Sequence, residues 1–192
     1  MTDWLSAVLP ASCPANPELA IARFATREAI GRNGFTLSSP AFKQGAELDP
    51  CFTADEEDAV APPMEWTSPP KGAEEMVLVV QDASSPDATC HWLVWGLTAQ
   101  HGKLLEGEAP PRTGKNDQGN SEWLLPRVDS EGEPHCFVFQ LFALDLPIAL
   151  LPGAGKAELY AAMEGHVIAA SVLTATYSGS EEDDLADLDD AD

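Results

Sequence analysis

Two histidines and one aspartate stand at the ends of strand-length apolar runs. Asp82 follows one run directly, His91 begins the next, and His135 precedes a third. If these runs are antiparallel neighbours, the three side chains meet at one end of a sheet, where rigid strands position them and loops cover them. Imidazoles can donate hydrogen bonds to anion oxygens, and an opposing carboxylate can fix the tautomer of one ring. The pattern is typical of a pocket for a small anion.

The apolar runs predict a mainly β fold. Five of them are strand-length and rich in valine, leucine and aromatic residues: 35–42, 76–81, 91–97, 136–144 and 167–177. The run 136–144 is apolar on both alternating faces, which is typical of a strand inside a sheet that is covered on both sides. Long polar connections separate the runs, and loops of that length inside a compact domain are usually functional.

Two helices are expected outside the strands. Asn16, Pro17 and Glu18 supply an N-cap, a proline at the first helical position and an acid in the first turn, which predicts a helix over residues 17–30. A second, short helix is expected over residues 155–165, closed by a glycine. We therefore divide the chain into an N-terminal extension with a helix, a β domain and a disordered acidic tail: 1–34, 35–179 and 180–192.

The charge excludes several kinds of partner. The chain has 32 acidic and 10 basic residues and a formal net charge of −22, to which the tail contributes −8. Such a surface repels nucleic acids and anionic membranes. Every apolar run is far shorter than the roughly 20 residues of a spanning helix, and the N-terminus lacks the positive region of a signal peptide. We expect a cytoplasmic protein with neither nucleic-acid binding nor integral membrane association.

The four cysteines give no sign of a metal or redox motif. Their spacing is wide and irregular and contains no C-x-x-C pair. Cys90 and Cys136 lie in apolar runs, so we expect both to behave as small buried hydrophobic residues. No carboxylate-rich surroundings support a metal at Asp82 and the two histidines. Neither a metal nor a cofactor is expected.

Five motifs, in order and at matching spacing, resemble those of the phosphatidylethanolamine-binding proteins, the family that includes Raf kinase inhibitor protein and its bacterial relatives. Pro62-Pro-Met-Glu-Trp66 resembles the family's S-P-P-L-x-W. Asp82-Ala-Ser-Ser-Pro86 with His91-Trp92 resembles D-P-D-x-P and its following H-W. His135-Cys-Phe-Val-Phe139 resembles H-R-Y-x-F, and residues 114–119 and 162–167 resemble the bacterial branch's G-K-N-D-F-G and A-M-E-G-H-V. The resemblance covers residues 35–177.

The resemblance implies a large antiparallel sheet flanked by a smaller one, with few short helices and a pocket at one end. In the family this pocket binds phosphate, phosphate-bearing headgroups or similar small anions. Carried over residue by residue, the ligand-binding positions are Asp82, His91, Pro126, His135 and Phe137. Bacterial members often pair, so the resemblance also implies a homodimer.

Two departures from the family motifs affect this pocket. Ser84 stands at the position of the family's second aspartate, and Cys136 stands at the position of its arginine. If the aspartate and arginine pair in relatives, their joint loss leaves no unpaired buried charge. Phe137 replaces the family's tyrosine and removes a hydroxyl. These changes leave open a different, less charged ligand.

Two other functions stay open beside anion binding. A hydrolase could use His91 or His135 as a general base, although the chain has no G-x-S-x-G elbow and Cys90 should face away from its strand neighbour His91. An inhibitor of a kinase or protease is the third possibility. Anion binding is favoured because four basic residues between the histidines could form a positive rim: Lys103, Arg112, Lys115 and Arg127. His101 is expected on the surface, outside the site.

Overall fold

The structure, a computed structural model, describes residues 3–180. Within this range the chain forms nine strands and three α-helices. The strands are β1 (Leu37–Ser38), β2 (Ala46–Glu47), β3 (Met64–Trp66), β4 (Glu75–Asp82), β5 (Cys90–Thr98), β6 (Gly102–Leu104), β7 (Arg112–Gly114), β8 (His135–Leu144) and β9 (Val167–Tyr177). The helices are α1 (Leu5–Val8), α2 (Ala20–Phe24) and α3 (Lys156–Met163). None of these helices is long and apolar enough to cross a membrane.

The strands form two sheets, which confirms the predicted mainly β architecture. The large sheet has the order β2-β9-β8-β4-β5-β7, and the small antiparallel sheet has the order β1-β3-β6. Neighbours in the large sheet are antiparallel, except that the two-residue strand β2 runs parallel to β9. Because β4 lies between β5 and β8 and runs antiparallel to both, the C-terminal end of β4 and the N-terminal ends of β5 and β8 lie at the same end of the sheet.

Alternate side chains of the central strands enter two separate cores. On one face of the large sheet, side chains such as Leu78 and Phe139 pack towards the small sheet. On the other face, side chains such as Val79 and Phe142 pack under the N-terminal segment and α3. All four side chains are fully buried, and burying a side chain of this size contributes about 1.5–3 kcal/mol. The two covered faces explain why the sequence of β8 is apolar at nearly every position.

The N-terminal segment packs on the large sheet, but the predicted helix over residues 17–30 is wrong. Helix α2 has five residues, and the chain is extended again at its C-cap, Ala25. It then reaches β9, where Ile30 pairs with Ala170 and the Gly31 N–H donates to the Ala170 carbonyl at 2.9 Å. The chain thus leaves the helix at Phe24 and pairs with the sheet at Ile30, a contact between distant segments that the local cap signals could not show.

Two buried glutamines of the large sheet hold the first turn of α2. The backbone N–H of Ala20 donates to Gln81 Oε1 at 2.8 Å, and the N–H of Ile21 donates to Gln140 Oε1 at 2.7 Å. The amide of Gln140 also donates to Gln81 Oε1 at 3.0 Å. These contacts satisfy helix N–H groups that otherwise have no partner within the helix, so the sheet itself caps α2.

The predicted strand over residues 35–42 is also wrong in extent, since only Leu37 and Ser38 pair. The partner strand β3 is itself only three residues long. Pro40 follows shortly after, and proline has no N–H with which to extend the ladder. The other predicted strands are confirmed, each within two residues of its predicted ends.

Cys136 is not a free thiol, which corrects the expectation from its apolar surroundings. It forms a disulfide with Cys13, 123 positions earlier in the chain, with the two Cα atoms 5.3 Å apart. Cys90 is buried and free, as expected. The pairing depends on the N-terminal segment lying across β8, which no spacing of cysteines in the sequence reveals.

The predicted acidic tail starts at a residue that the structure ties to the body. The backbone N–H and the hydroxyl of Ser180 both donate to Asp55 Oδ2, at 3.0 and 2.8 Å, and the Tyr177 hydroxyl donates to the same oxygen. The rest of the predicted tail, 181–192, lies outside the described residues.

The cap formed by the two glutamines can be tested through stability. The change Gln140→Leu keeps the size of the side chain but leaves the buried Ile21 N–H without an acceptor, so the free energy of unfolding should fall by about 1–3 kcal/mol. Urea denaturation measures the loss. The matched control is Gln100→Leu on an exposed glutamine, which should change stability by less than about 0.5 kcal/mol. Equal effects of the two changes would contradict the proposed cap.

Candidate functional site

The sheet topology brings Asp82, His91 and His135 into one cavity. Asp82 ends β4, His91 is the second residue of β5, and His135 begins β8. These positions lie at the same end of the large sheet, as the sequence suggested. The three side chains line a cavity of about 720 Å³, together with Arg127 and the chain between residues 118 and 125.

The Asp82 carboxylate orients the His135 ring. His135 Nδ1 donates to Asp82 Oδ2 at 2.6 Å, and the aspartate side chain is only 7% exposed. The other carboxylate oxygen, Oδ1, accepts from the Ser84 N–H at 2.8 Å. Both oxygens therefore have a donor, and the His135 proton is fixed on Nδ1.

A backbone carbonyl orients the His91 ring in the same way. His91 Nδ1 lies 2.6 Å from the Leu124 carbonyl oxygen, and a carbonyl can only accept, so Nδ1 carries the proton. Burial lowers the pKa of His91 below its ordinary value, although the Leu124 carbonyl and the nearby Asp82 charge oppose this shift. At neutral pH His91 is therefore uncharged and its Nε2 has a lone pair.

The two rings present equivalent atoms to a ligand. Among residues 3–180, the Nε2 atoms of His91 and His135 have no hydrogen-bond partner, since both rings are held through Nδ1. An uncharged ring accepts a hydrogen bond at Nε2, whereas a protonated ring donates one. Both Nε2 atoms are therefore available for a contact outside the described residues.

The predicted positive rim is mostly wrong. Arg127 lines the cavity, but Lys103, Arg112 and Lys115 do not. Arg112 on β7 instead donates to the Ile148 carbonyl at 3.0 Å, and Lys103 lies on β6 in the small sheet. Closeness in sequence did not mean closeness in space, because the connection between β5 and β8 crosses both sheets.

Phe137 and Pro126 lie next to the cavity lining rather than in it. The Phe137 ring is 1% exposed and packs edge-on to His91 at 5.2 Å and stacked on His135 at 6.5 Å between ring centroids. It therefore supports both imidazoles. Pro126 is buried, and its carbonyl accepts from the N–H of Ala54, a lining residue, at 2.9 Å.

The loop that carries Leu124 orients the His91 ring, a contact that the sequence alone did not show. Asn116 is buried, and its amide donates to Asn120 Oδ1 and to the Glu122 carbonyl at 2.8 and 2.9 Å. Asp117 Oδ2 accepts from the Cys90 N–H at 2.7 Å, which ties this loop to the start of β5. Both residues belong to the motif at 114–119. This motif is therefore the sequence feature that could have indicated the loop whose Leu124 carbonyl contacts His91.

Neither Ser85 nor Cys90 is arranged as the activated nucleophile that a hydrolase of the serine or cysteine type needs. Ser85 lines the cavity, but its hydroxyl donates to the Asp82 carbonyl at 3.0 Å and accepts from the Thr89 N–H at 2.7 Å. Burial raises the pKa of the Cys90 thiol to about 12. In the described part of the chain, no group of three or more histidine, cysteine or acidic side chains could hold a metal ion.

This fold agrees with what comparison with known proteins shows. The family model described as phosphatidylethanolamine-binding protein matches residues 38–178. The chain therefore belongs to the phosphatidylethanolamine-binding protein family, which confirms the resemblance stated from its motifs.

Relatives that match over nearly their whole length support this assignment. A UPF0098 protein of Methanothermobacter thermautotrophicus is 30% identical over 149 residues, 73% of this chain and 97% of the relative. A UPF0098 protein of Chlamydia pneumoniae is 30% identical over 151 residues, 75% of this chain and 99% of the relative.

Solved structures show the same fold. A phosphatidylethanolamine-binding protein homologue from Chlamydia trachomatis matches with a TM-score of 0.68 and 27% identity, covering 76% of this chain and 98% of its own. E. coli YbcL matches with the same TM-score at 20% identity, covering 76% of this chain and 99% of its own, and it supports the fold alone.

The hydrogen bonds at Nδ1 predict which nitrogen carries the proton in each ring. At about pH 8, above the ordinary histidine pKa of about 6.5, ¹⁵N chemical shifts should place the proton on Nδ1 in both His91 and His135. The change Asp82→Ala should abolish this preference in His135 and leave it in His91, because His91 depends on the Leu124 carbonyl instead. A proton on Nε2 of either ring in the unaltered protein would contradict the geometry.

Proposed function

We propose that this chain binds a small anion, such as phosphate or a phosphate-bearing headgroup, in the cavity lined by His91, Arg127 and His135. The observation that carries the proposal is the matched pair of imidazoles, each held through Nδ1 with its Nε2 left for a ligand. Two protonated rings held in this way donate hydrogen bonds to anion oxygens, and such charge-assisted bonds are stronger than neutral ones.

Two acidic side chains, Asp82 and Glu122, line the cavity beside the histidines. Both oxygens of Asp82 already accept hydrogen bonds within the protein. Arg127 adds a guanidinium that is charged at every physiological pH and can contact two anion oxygens at once. The overall charge of −22 therefore acts on the approach of the anion more than on its contacts inside the cavity.

Burial of His91 makes anion binding depend on pH. The pKa of His91 is lowered by burial, so at neutral pH the ring must take up a proton before Nε2 can donate. Since the anion binds the protonated form better, binding raises the His91 pKa, and by linkage the affinity rises as pH falls.

Family membership supports the chemistry of the ligand. The family description names phosphatidylethanolamine, whose headgroup carries a phosphate, and a phosphate offers the oxygens that two imidazoles and a guanidinium recognise. In this chain Phe137 has no hydroxyl and Cys136 has no charge, so the binding energy comes from His91, His135 and Arg127.

Replacing either histidine tests the proposal. At about pH 6, calorimetric titration with inorganic phosphate should show that His91→Ala and His135→Ala each weaken binding by about 1.5–3 kcal/mol, the scale of a hydrogen bond to a charged group. The fold should survive, since His135 is partly exposed and His91, although buried, stands at the start of β5 rather than in its middle. Thermal melting checks this.

The matched control is His166→Ala. His166 Nδ1 also donates to an aspartate, Asp145, at 2.9 Å, but neither residue lines the cavity. This variant should bind phosphate like the unaltered protein. Equal affinity in all four proteins would refute the proposed site, and no phosphate binding in any of them would refute phosphate as the anion.

A further inference from the structure

The loop that follows Asp82 is held from outside by the N-terminal segment. We propose that Cys13 and Asn16, here called the N-terminal clamp, position the Asp82 carboxylate against His135, and that reduction of the Cys13–Cys136 disulfide loosens this pair. The clamp touches neither the cavity nor a ligand, so its residues are positioning residues.

The disulfide fixes the part of β8 that grips the loop. Cys136 directly follows His135, and its backbone N–H donates to Ser84 Oγ at 2.9 Å. Its carbonyl accepts from the Ala83 N–H at 2.8 Å. The backbone of Cys136 thus holds the two residues that come directly after Asp82, and Cys13 holds Cys136 from the other side.

Asn16 holds the same loop by its carbonyl groups. Its amide nitrogen, Nδ2, donates to the Ala83 carbonyl at 3.1 Å and to the Ser85 carbonyl at 2.8 Å. Its side-chain oxygen accepts from the Glu18 N–H at 2.9 Å, which fixes the orientation of the amide. The clamp therefore contacts the loop through two independent sets of hydrogen bonds.

The loop held by the clamp also makes hydrogen bonds to Asp82 itself. The Ser84 N–H donates to Asp82 Oδ1, and Asp82 Oδ2 accepts from His135. The Ser85 hydroxyl donates to the Asp82 carbonyl at 3.0 Å. Movement of the loop would remove the donor at Oδ1 and let the carboxylate turn away from the imidazole.

Release of the clamp should leave the rest of the N-terminal segment in place. Leu5, Leu19 and Ile21 are almost fully buried, and α2 is separately capped by the two glutamines of the sheet. The effect should therefore be local to the site. This distinguishes a positioning role from a contribution to the fold as a whole.

The redox step needs a dithiol reductant. One thiolate of the reductant attacks the sulfur of Cys13, which is 6% exposed whereas Cys136 is fully buried. The Cys136 thiolate leaves and takes up a proton. The second thiol of the reductant then displaces the Cys13 thiol, so the protein gains two thiols and the reductant becomes a disulfide. Because disulfides persist mainly in oxidising surroundings, the site would respond to the redox state around it.

The test follows the hydrogen-bonded Nδ1 proton of His135 by NMR, which requires no ligand. The exchange of this proton with water should become at least about tenfold faster after reduction with dithiothreitol. The same increase is expected in Asn16→Ala, which keeps the disulfide. Each change removes contacts to the loop after Asp82 that stabilise it by about as much as one hydrogen bond. The control Cys51→Ala removes a free, half-buried thiol and should behave like the parent in both redox states. Inorganic phosphate affinity should fall about fivefold with the loosened pair.

The outcomes separate this inference from the proposed function, on which only its affinity measurement rests. Unchanged exchange of the His135 proton in both the reduced protein and Asn16→Ala would overturn the clamp, whatever the protein binds. Faster exchange in both, with no phosphate binding by any form, would support the clamp and overturn the proposed function. If reduction unfolds the chain, as a melting curve would show, Asn16→Ala decides the matter alone.

Discussion

The antiparallel pairing of β4 with β8 is the contact on which the rest of the structure depends. Its register runs without a break from Glu75 opposite Leu144 to Asp82 opposite Phe137. Both strands are buried on two faces, so a shift by one residue would exchange the side chains of the two cores. The same register sets Asp82 beside His135, and β5, the other neighbour of β4, adds His91 at that edge. The cavity is therefore a direct product of the packing of the core.

The placement of Asp82, His91 and His135 at one end of the large sheet could be predicted because they stand at the ends of long, strongly patterned strands. Their partners could not. The carbonyl of Leu124, the glutamine cap of α2 and the Cys13–Cys136 disulfide are contacts between distant segments, which local periodicity does not encode. The helix predicted over residues 17–30 failed for the same reason, because Asn16 holds the loop after Asp82 and α2 starts only at Ala20.

The two departures from the family motifs meet in space. Ser84 and Cys136, which stand where the family has an aspartate and an arginine, are joined by a hydrogen bond from the Cys136 N–H to Ser84 Oγ. An uncharged contact thus occupies these two positions, and the disulfide to Cys13 reinforces it. The loss of both charges leaves no unpaired group, which agrees with the physical expectation for a paired substitution.

The central claim is that the imidazoles bind an anion as protonated donors. It is tested most directly by titrating the protein with sulfate, which unlike phosphate does not itself titrate near neutral pH, in two buffers of different ionisation enthalpy. At about pH 7, above the ordinary histidine pKa of about 6.5, the account predicts net proton uptake on binding and an affinity that rises as the pH is lowered. Sulfate binding without proton uptake, and with the same affinity from about pH 5.5 to about pH 8, would contradict it.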